Sequence, residues 1–145
     1  MTNILKAIIN LVQNPIVDIK PYYQGRNRAN SVGDALEVYI KDIFANTIGK
    51  SEADSIIEYN NHFSYLGNQN NPPDLMIKGG DAIEVKKIQS PGSALALNSS
   101  YPKAKLFANS KMITRACREC EEWESKDIIY AVGYTTDDSV NWLWL

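Results

Sequence analysis

The stretch from Asp74 to Ile88 constrains the fold more than any other part of the chain. Asp74-Leu75-Met76-Ile77 and Asp81-Ala82-Ile83-Glu84-Val85-Lys86-Lys87-Ile88 are short strand-like runs on either side of Lys78-Gly79-Gly80. A glycine pair between such runs predicts two antiparallel strands joined by a turn. Side chains two apart on a strand face the same way, so Glu84 and Lys86 project from one surface and Val85 from the opposite, apolar one. The turn returns Asp74 to their neighbourhood. Two carboxylates from adjacent strands form a hard-oxygen site suited to Mg2+, with water and a phosphate completing the coordination. Phosphodiester hydrolysis needs an ion that polarises the phosphate and acidifies a water, and a group that orients the attacking oxygen in line. Asp74 and Glu84 meet the first need; Lys86 meets the second, by positioning the water or by stabilising developing charge.

Around this hairpin the periodicity gives further elements. Asn3 to Val12 carries aliphatic residues at helical spacing, ends at Asn14-Pro15, and is expected to pack on the body. Asp18 to Asn30 reads as a polar loop that includes Arg26 and Arg28. Ser31-Val32-Gly33-Asp34 resembles a capping box and opens a helix to about Asn46. Ile56 to Leu66 reads as a strand and Gly67 to Pro73 as a plain loop. Gln89 to Pro102 is loop-like, Lys103 to about Ser125 mostly helical, Ile128 to Tyr134 a buried strand, and Ser139 to Leu145 a last strand. Helix, helix, three strands, helix and strand describe an α/β (α+β) chain, a mixed central sheet flanked by helices. At 145 residues one domain is expected: residues 1–30 a helix and polar loop, 31–134 the catalytic core, 135–145 an extra strand. An edge finishing in Trp142-Leu143-Trp144-Leu145 invites aggregation. It is therefore expected to be covered by a partner or by further chain, the sequence being a C-terminally truncated form.

Composition narrows the function classes. Apolar residues make up 44% and charged residues 22%, the balance of a chain with a packed core. No apolar run reaches the roughly 20 residues that span a bilayer, and the N-terminus lacks a signal-peptide layout, so a cytoplasmic, non-membrane protein is expected. A formal charge of −2 excludes nucleic-acid binding by bulk positive charge. It does not exclude a nuclease, whose metal carboxylates lower the net charge and whose phosphate contacts need only a few cations. Arg26, Arg28, Lys103 and Lys105 are the candidates, with Lys111 and Arg115 behind them. Cys117 and Cys120 form a C-x-x-C, but with His62 the single histidine there are too few soft ligands for structural zinc. Packing is the preferred role for these thiols.

Pro73-Asp74, nine intervening positions and Glu84-Val85-Lys86 resemble the defining motif of the PD-(D/E)xK nuclease superfamily. The element order from Ser31 to Tyr134 looks like that superfamily's common core, a restriction-endonuclease-like fold. The resemblance implies that Asp74 and Glu84 ligate Mg2+, that the Val85 carbonyl helps, and that Lys86 completes the catalytic set. It makes Glu37, on the first core helix, the next candidate ligand. The wider string from Gly25 to Asp34 looks like type II restriction endonucleases of the NgoPII-like group, which cut a GGCC palindrome, although known restriction enzymes are usually longer than this chain. The resemblance thus implies a Mg2+-dependent endodeoxyribonuclease acting on double-stranded DNA, as a homodimer because two-fold symmetry matches a palindrome. A repair or junction-resolving nuclease of the same fold is the alternative enzyme, and an inactive DNA-binding or interaction module the alternative class. On the plainest reading Glu84 and Lys86 are an exposed pair on an ordinary hairpin, Asp34 is a helix-start residue, Asp81 belongs to the turn, Lys87 snorkels from the opposite face, and His62 is a surface or strand residue.

Overall fold

The computed structural model describes residues 1–25, 29–95 and 103–145. Its central element is the helix numbered α3 (Val32–Ala45). It begins in the expected capping box: Ser31 Oγ accepts the Asp34 N–H, and the Asp34 carboxylate accepts the Ser31 N–H. This satisfies donors that a helix start leaves open. Asn46 stops it in left-handed backbone at φ 56°, a conformation that Asn tolerates well. Leu36, Tyr39, Ile40 and Ile43 are buried on it. The sheet covers one side; α1 (Ile4–Gln13), α2 (Ile19–Tyr23) and α4 (Glu52–His62) cover others.

Helix α1 forms where its periodicity predicts, with Asn3 accepting the Lys6 N–H as its cap. It docks through Ala7, Leu11 and Asn10, with Thr2 just before it. Thr2 Oγ1 and Asn10 Nδ2 donate to the Phe44 and Ile43 carbonyls at 2.5 and 2.6 Å. Those carbonyls belong to the last turn of α3, where the helix supplies them no partner. The face that reaches these carbonyls also buries Ala7 and packs Leu11 on the core, while Leu5, Ile8, Ile9 and Val12 on the other side face solvent, Leu5 at 68% exposure.

Three sequence expectations need correction. The polar loop at 18–30 begins instead with α2, which buries Ile19 and Tyr23; Arg26 and Arg28 lie outside the described residues. The strand expected over 56–66 is mostly α4, followed by β1 (Phe63–Tyr65). Ser51 caps this helix by accepting the Asp54 N–H, and Glu52 and Asp54 favour its first turn. Tyr59, on the helix, and Phe63, which closes it and opens β1, still pack together, with ring centroids 6.2 Å apart. The long helix expected over 103–125 is replaced by β4 (Lys105–Phe107), turns, and the five-residue α5 (Arg115–Glu119). There the Arg118 guanidinium donates to the carbonyls of Ala108 and Ser110, and the Ala108 N–H donates to the Glu124 carbonyl. Tertiary hydrogen bonds stand in for helical ones.

β1, β2 (Leu75–Ile77), β3 (Ala82–Ile88), β5 (Ser125–Thr136) and β4 lie in that order, with β6 (Ser139–Trp144) also on β5. β3 and β5 are parallel and the other pairs antiparallel, the expected mixed sheet. Ile83, Val85, Ile129 and Ala131 face α3. Leu36 packs so tightly on Gly133 that a Cβ there would stand 2.7 Å from Leu36 Cδ2. On the other face Met76, Ala82, Leu106, Ile113 and Cys117 form a smaller core. Burial pushes the Cys117 thiol up to about 11, which makes it a poor nucleophile and fits packing rather than redox use. The last strand forms as expected: Leu143 and Leu145 pack on the α3 core, while Trp142 and Trp144 stack at 4.6 Å. No helix among the described residues is long and apolar enough to cross a membrane.

Candidate active site

The expected hairpin is present, and it brings Asp74, Glu84 and Lys86 together. Leu75 pairs with Ile83 and Met76 with Ala82, a register that carries Asp74 to the level of Glu84. The Val85 N–H donates to Asp74 Oδ2 at 2.6 Å, and Lys86 Nζ donates to Glu84 Oε1 at 2.7 Å. Glu84 and Lys86 are not the exposed surface pair of the plainest reading, since their side chains are only 9% and 13% exposed. Lys87 alternates to the other face as expected and is exposed, reaching toward Gly33 at the start of α3.

The electrostatics of the cluster are dominated by carboxylates. Burial, then Glu84 and Glu37, push the Asp74 carboxyl from 3.8 up to about 7, against the opposing pull of the Val85 N–H and of Lys86. Glu37, on α3, is also raised, first by burial and further by Asp34 and Glu84, with Lys41 and Lys86 opposing. Mutual repulsion of this kind in a shielded site is what a divalent cation relieves. Among the described residues no three His, Cys, Asp or Glu side chains converge as a ready-made cage. Magnesium needs no such cage, because it binds through one or two carboxylates and keeps water and phosphate as its other ligands. The mutually repelling carboxylates of Asp74 and Glu84 therefore fit a hard divalent ion.

A groove opens beside the cluster, walled by Pro73, Phe107 and Tyr130 and bordered by Lys103 and Lys105, with Glu84 and Lys86 at its inner side. The Lys103 N–H donates to the Tyr130 hydroxyl at 3.1 Å, and Lys105 pairs with Asp127 at 2.8 Å on an exposed surface. Both lysines thus line the groove that Glu84 enters, despite their distance from it in sequence.

Gly67 is a residue that sequence reasoning passed over as part of a plain loop. It has φ +76°, and a Cβ on it would stand 2.3 Å from the Asp74 carbonyl oxygen. Only glycine allows the loop to lie against the Asp74 backbone. The loop itself is tied down: Asn68 Oδ1 accepts the N–H groups of Asn70 and Asn71, and Asn71 Nδ2 donates to the Met112 carbonyl. Its abundance of Asn, Gly and Pro is the available signal, but the approach to Asp74 is tertiary. Gly67→Ala is expected to displace Asp74 from the Val85 N–H and so to move the Val85 1H–15N resonance. A Val85 resonance unchanged from the parent would show that the loop does not set the position of Asp74.

Residues 2–145 match the model of the NgoPII restriction endonuclease family. The chain belongs to that family. It is 56% identical over 131 residues to the type II restriction enzyme NgoPII of Neisseria gonorrhoeae, an alignment that covers 90% of this chain and 47% of the relative. The chain thus spans about half the length of the curated relative it matches. No solved structure matches it. Family membership bears out the resemblance to the NgoPII-like group of type II restriction endonucleases.

Proposed function

We propose that this chain carries the catalytic site of a type II restriction endonuclease, hydrolysing phosphodiester bonds of duplex DNA at a specific site with Mg2+. The observation that carries the reading is the juxtaposition of Asp74, held by the Val85 N–H, with the Glu84–Lys86 pair on the neighbouring strand. Asp74 and Glu84 would hold the ion with the Val85 carbonyl, Glu37 being the next candidate; such an ion would supply polarisation of the phosphate and a more acidic water. The Val85 N–H fixes Asp74 in one orientation before substrate arrives, so little reorganisation is left to the reaction itself. Lys86 bonds Glu84 through one N–H and has further donors for the attacking water or a phosphate oxygen. Lys103 and Lys105 border the approach to these groups; Lys105 can exchange Asp127 for a DNA phosphate at little cost, because exposed ion pairs are worth about 0–1 kcal/mol. Arg26 and Arg28 are proposed as further DNA contacts, residues 1–145 as one nuclease-like domain, and the working form as a cytoplasmic homodimer whose symmetry matches a palindromic site.

Purified chain incubated with a plasmid containing GGCC sites and Mg2+ is expected to give discrete fragments, and none in EDTA. Absence of cleavage at every protein concentration, or cleavage indifferent to EDTA, would remove the proposal.

A further inference from the structure

Lys126, at the start of β5, is the most buried cation of the described residues, at 6% exposure. It pairs with Glu121 and donates to the carbonyls of Gly80 at 2.7 Å and Ile77 at 3.1 Å. Glu121 in turn accepts the Gly79 N–H at 3.2 Å. The ion pair therefore grips the turn that joins the two strands of the catalytic hairpin. An aliphatic side chain would fill the same volume without the cost of desolvating an ammonium and a carboxylate. What it would lack is any bond to the turn's backbone.

The hairpin needs such an anchor. β2 is three residues long, so its pairing with β3 contains little to fix the register. A slip of one residue turns every side chain of a strand to the other face. It would carry Asp74 away from Glu84 and from the Val85 N–H. We propose that Lys126 and Glu121 are positioning residues of the nuclease site, a clasp on the turn at 78–80 that holds the register setting Asp74 against Glu84. The effect on cleavage rests on the nuclease reading above, whereas the effect on the hairpin does not.

Lys126→Met, Glu121→Gln and Lys126→Arg would be compared with the parent chain by steady-state DNA cleavage in Mg2+ and by the 1H–15N resonance of Val85. Lys126→Met is expected to lower kcat at least about 30-fold with KM within about threefold, the mark of lost alignment rather than lost binding. The Val85 resonance should move while the amides of α3 stay in place. Glu121→Gln should act in the same direction more weakly, and Lys126→Arg should recover kcat to within about fivefold of the parent, because it can still bond the two carbonyls. A folded Lys126→Met with Val85 unmoved overturns the proposal, whatever its kcat, and so does one with Val85 moved but kcat within about twofold. If Lys126→Met does not fold, Glu121→Gln decides on the same criteria. If the parent chain itself does not cleave, the nuclease reading falls and the Val85 resonance alone decides whether the clasp sets the hairpin.

Discussion

Asp74→Asn is expected to lower Mg2+-supported DNA cleavage by about 10³-fold, the scale of loss when a preorganised group that stabilises transition-state charge is removed. The same substitution is expected to leave the metal-free protein more stable. Burial, together with the repulsion of Glu84 and Glu37, raises the Asp74 carboxyl from 3.8 to about 7 in the folded chain. Between those pH values the folded state holds a proton that the unfolded state has released, so stability falls as pH rises through the window. Asparagine resembles the neutral acid at every pH, and its side-chain carbonyl can still accept the Val85 N–H. At about pH 8 in EDTA the variant is expected to gain on the order of 2 kcal/mol over the parent, measured by urea unfolding. Mg2+ should narrow the gap by binding the folded parent and not the variant. Cleavage within tenfold of the parent would disprove the assignment of Asp74. A metal-free variant less stable than the parent would show that the carboxylates do not strain the fold.

The second large effect concerns stability. Asp42, on α3, is buried and accepts hydrogen bonds from Tyr23 at 2.6 Å, from Tyr59 at 2.5 Å and from the Thr47 hydroxyl. It joins α2, α3, α4 and the turn after α3 at one point. Burial first, and the neighbouring Asp42 carboxylate next, raise both tyrosine hydroxyls far above their ordinary value, so they stay protonated as donors. Asp42→Ala would strand three buried hydroxyls, each costing about 1–3 kcal/mol when unsatisfied. With partial relaxation the expected loss is about 4 kcal/mol, a large part of the roughly 5–15 kcal/mol that holds such a chain folded. Asp42→Asn is expected to lose about half as much, because its carbonyl still accepts while its NH2 opposes a tyrosine donor. Urea unfolding midpoints would test both. A loss below about 1 kcal/mol for Asp42→Ala would mean that the hydroxyls find other partners.

Local chemistry is legible in the sequence where it is decided within a few residues. The Ser31-to-Asp34 capping box, the Gly79-Gly80 turn and the alternation that puts Glu84 and Lys86 on one face all depend on near neighbours, and each is present in the fold. The strand expected over 56–66 failed because its local signals were ambiguous, and the helix expected over 103–125 for the converse reason. In the first, Tyr59 and Phe63 fit both periods and the Ser51 cap decided for helix. In the second, pairing of 105–107 with 125–127 and the Arg118 bonds to Ala108 and Ser110 replaced the local helix.

The sequence by itself determined the hairpin, the central helix and which three side chains the hairpin would gather, because turns, caps and strand alternation act over short range. Only the tertiary structure decided the rest. Which face of α1 docks was decided by α3, whose last carbonyls take Thr2 and Asn10 and whose core takes Ala7 and Leu11. Gly67 against Asp74, Asp42 among its hydroxyls, and Lys126 on the turn at 78–80 are contacts between segments far apart in the chain. Their energies come from burying polar groups with partners in place, and the partners exist only once the elements have docked.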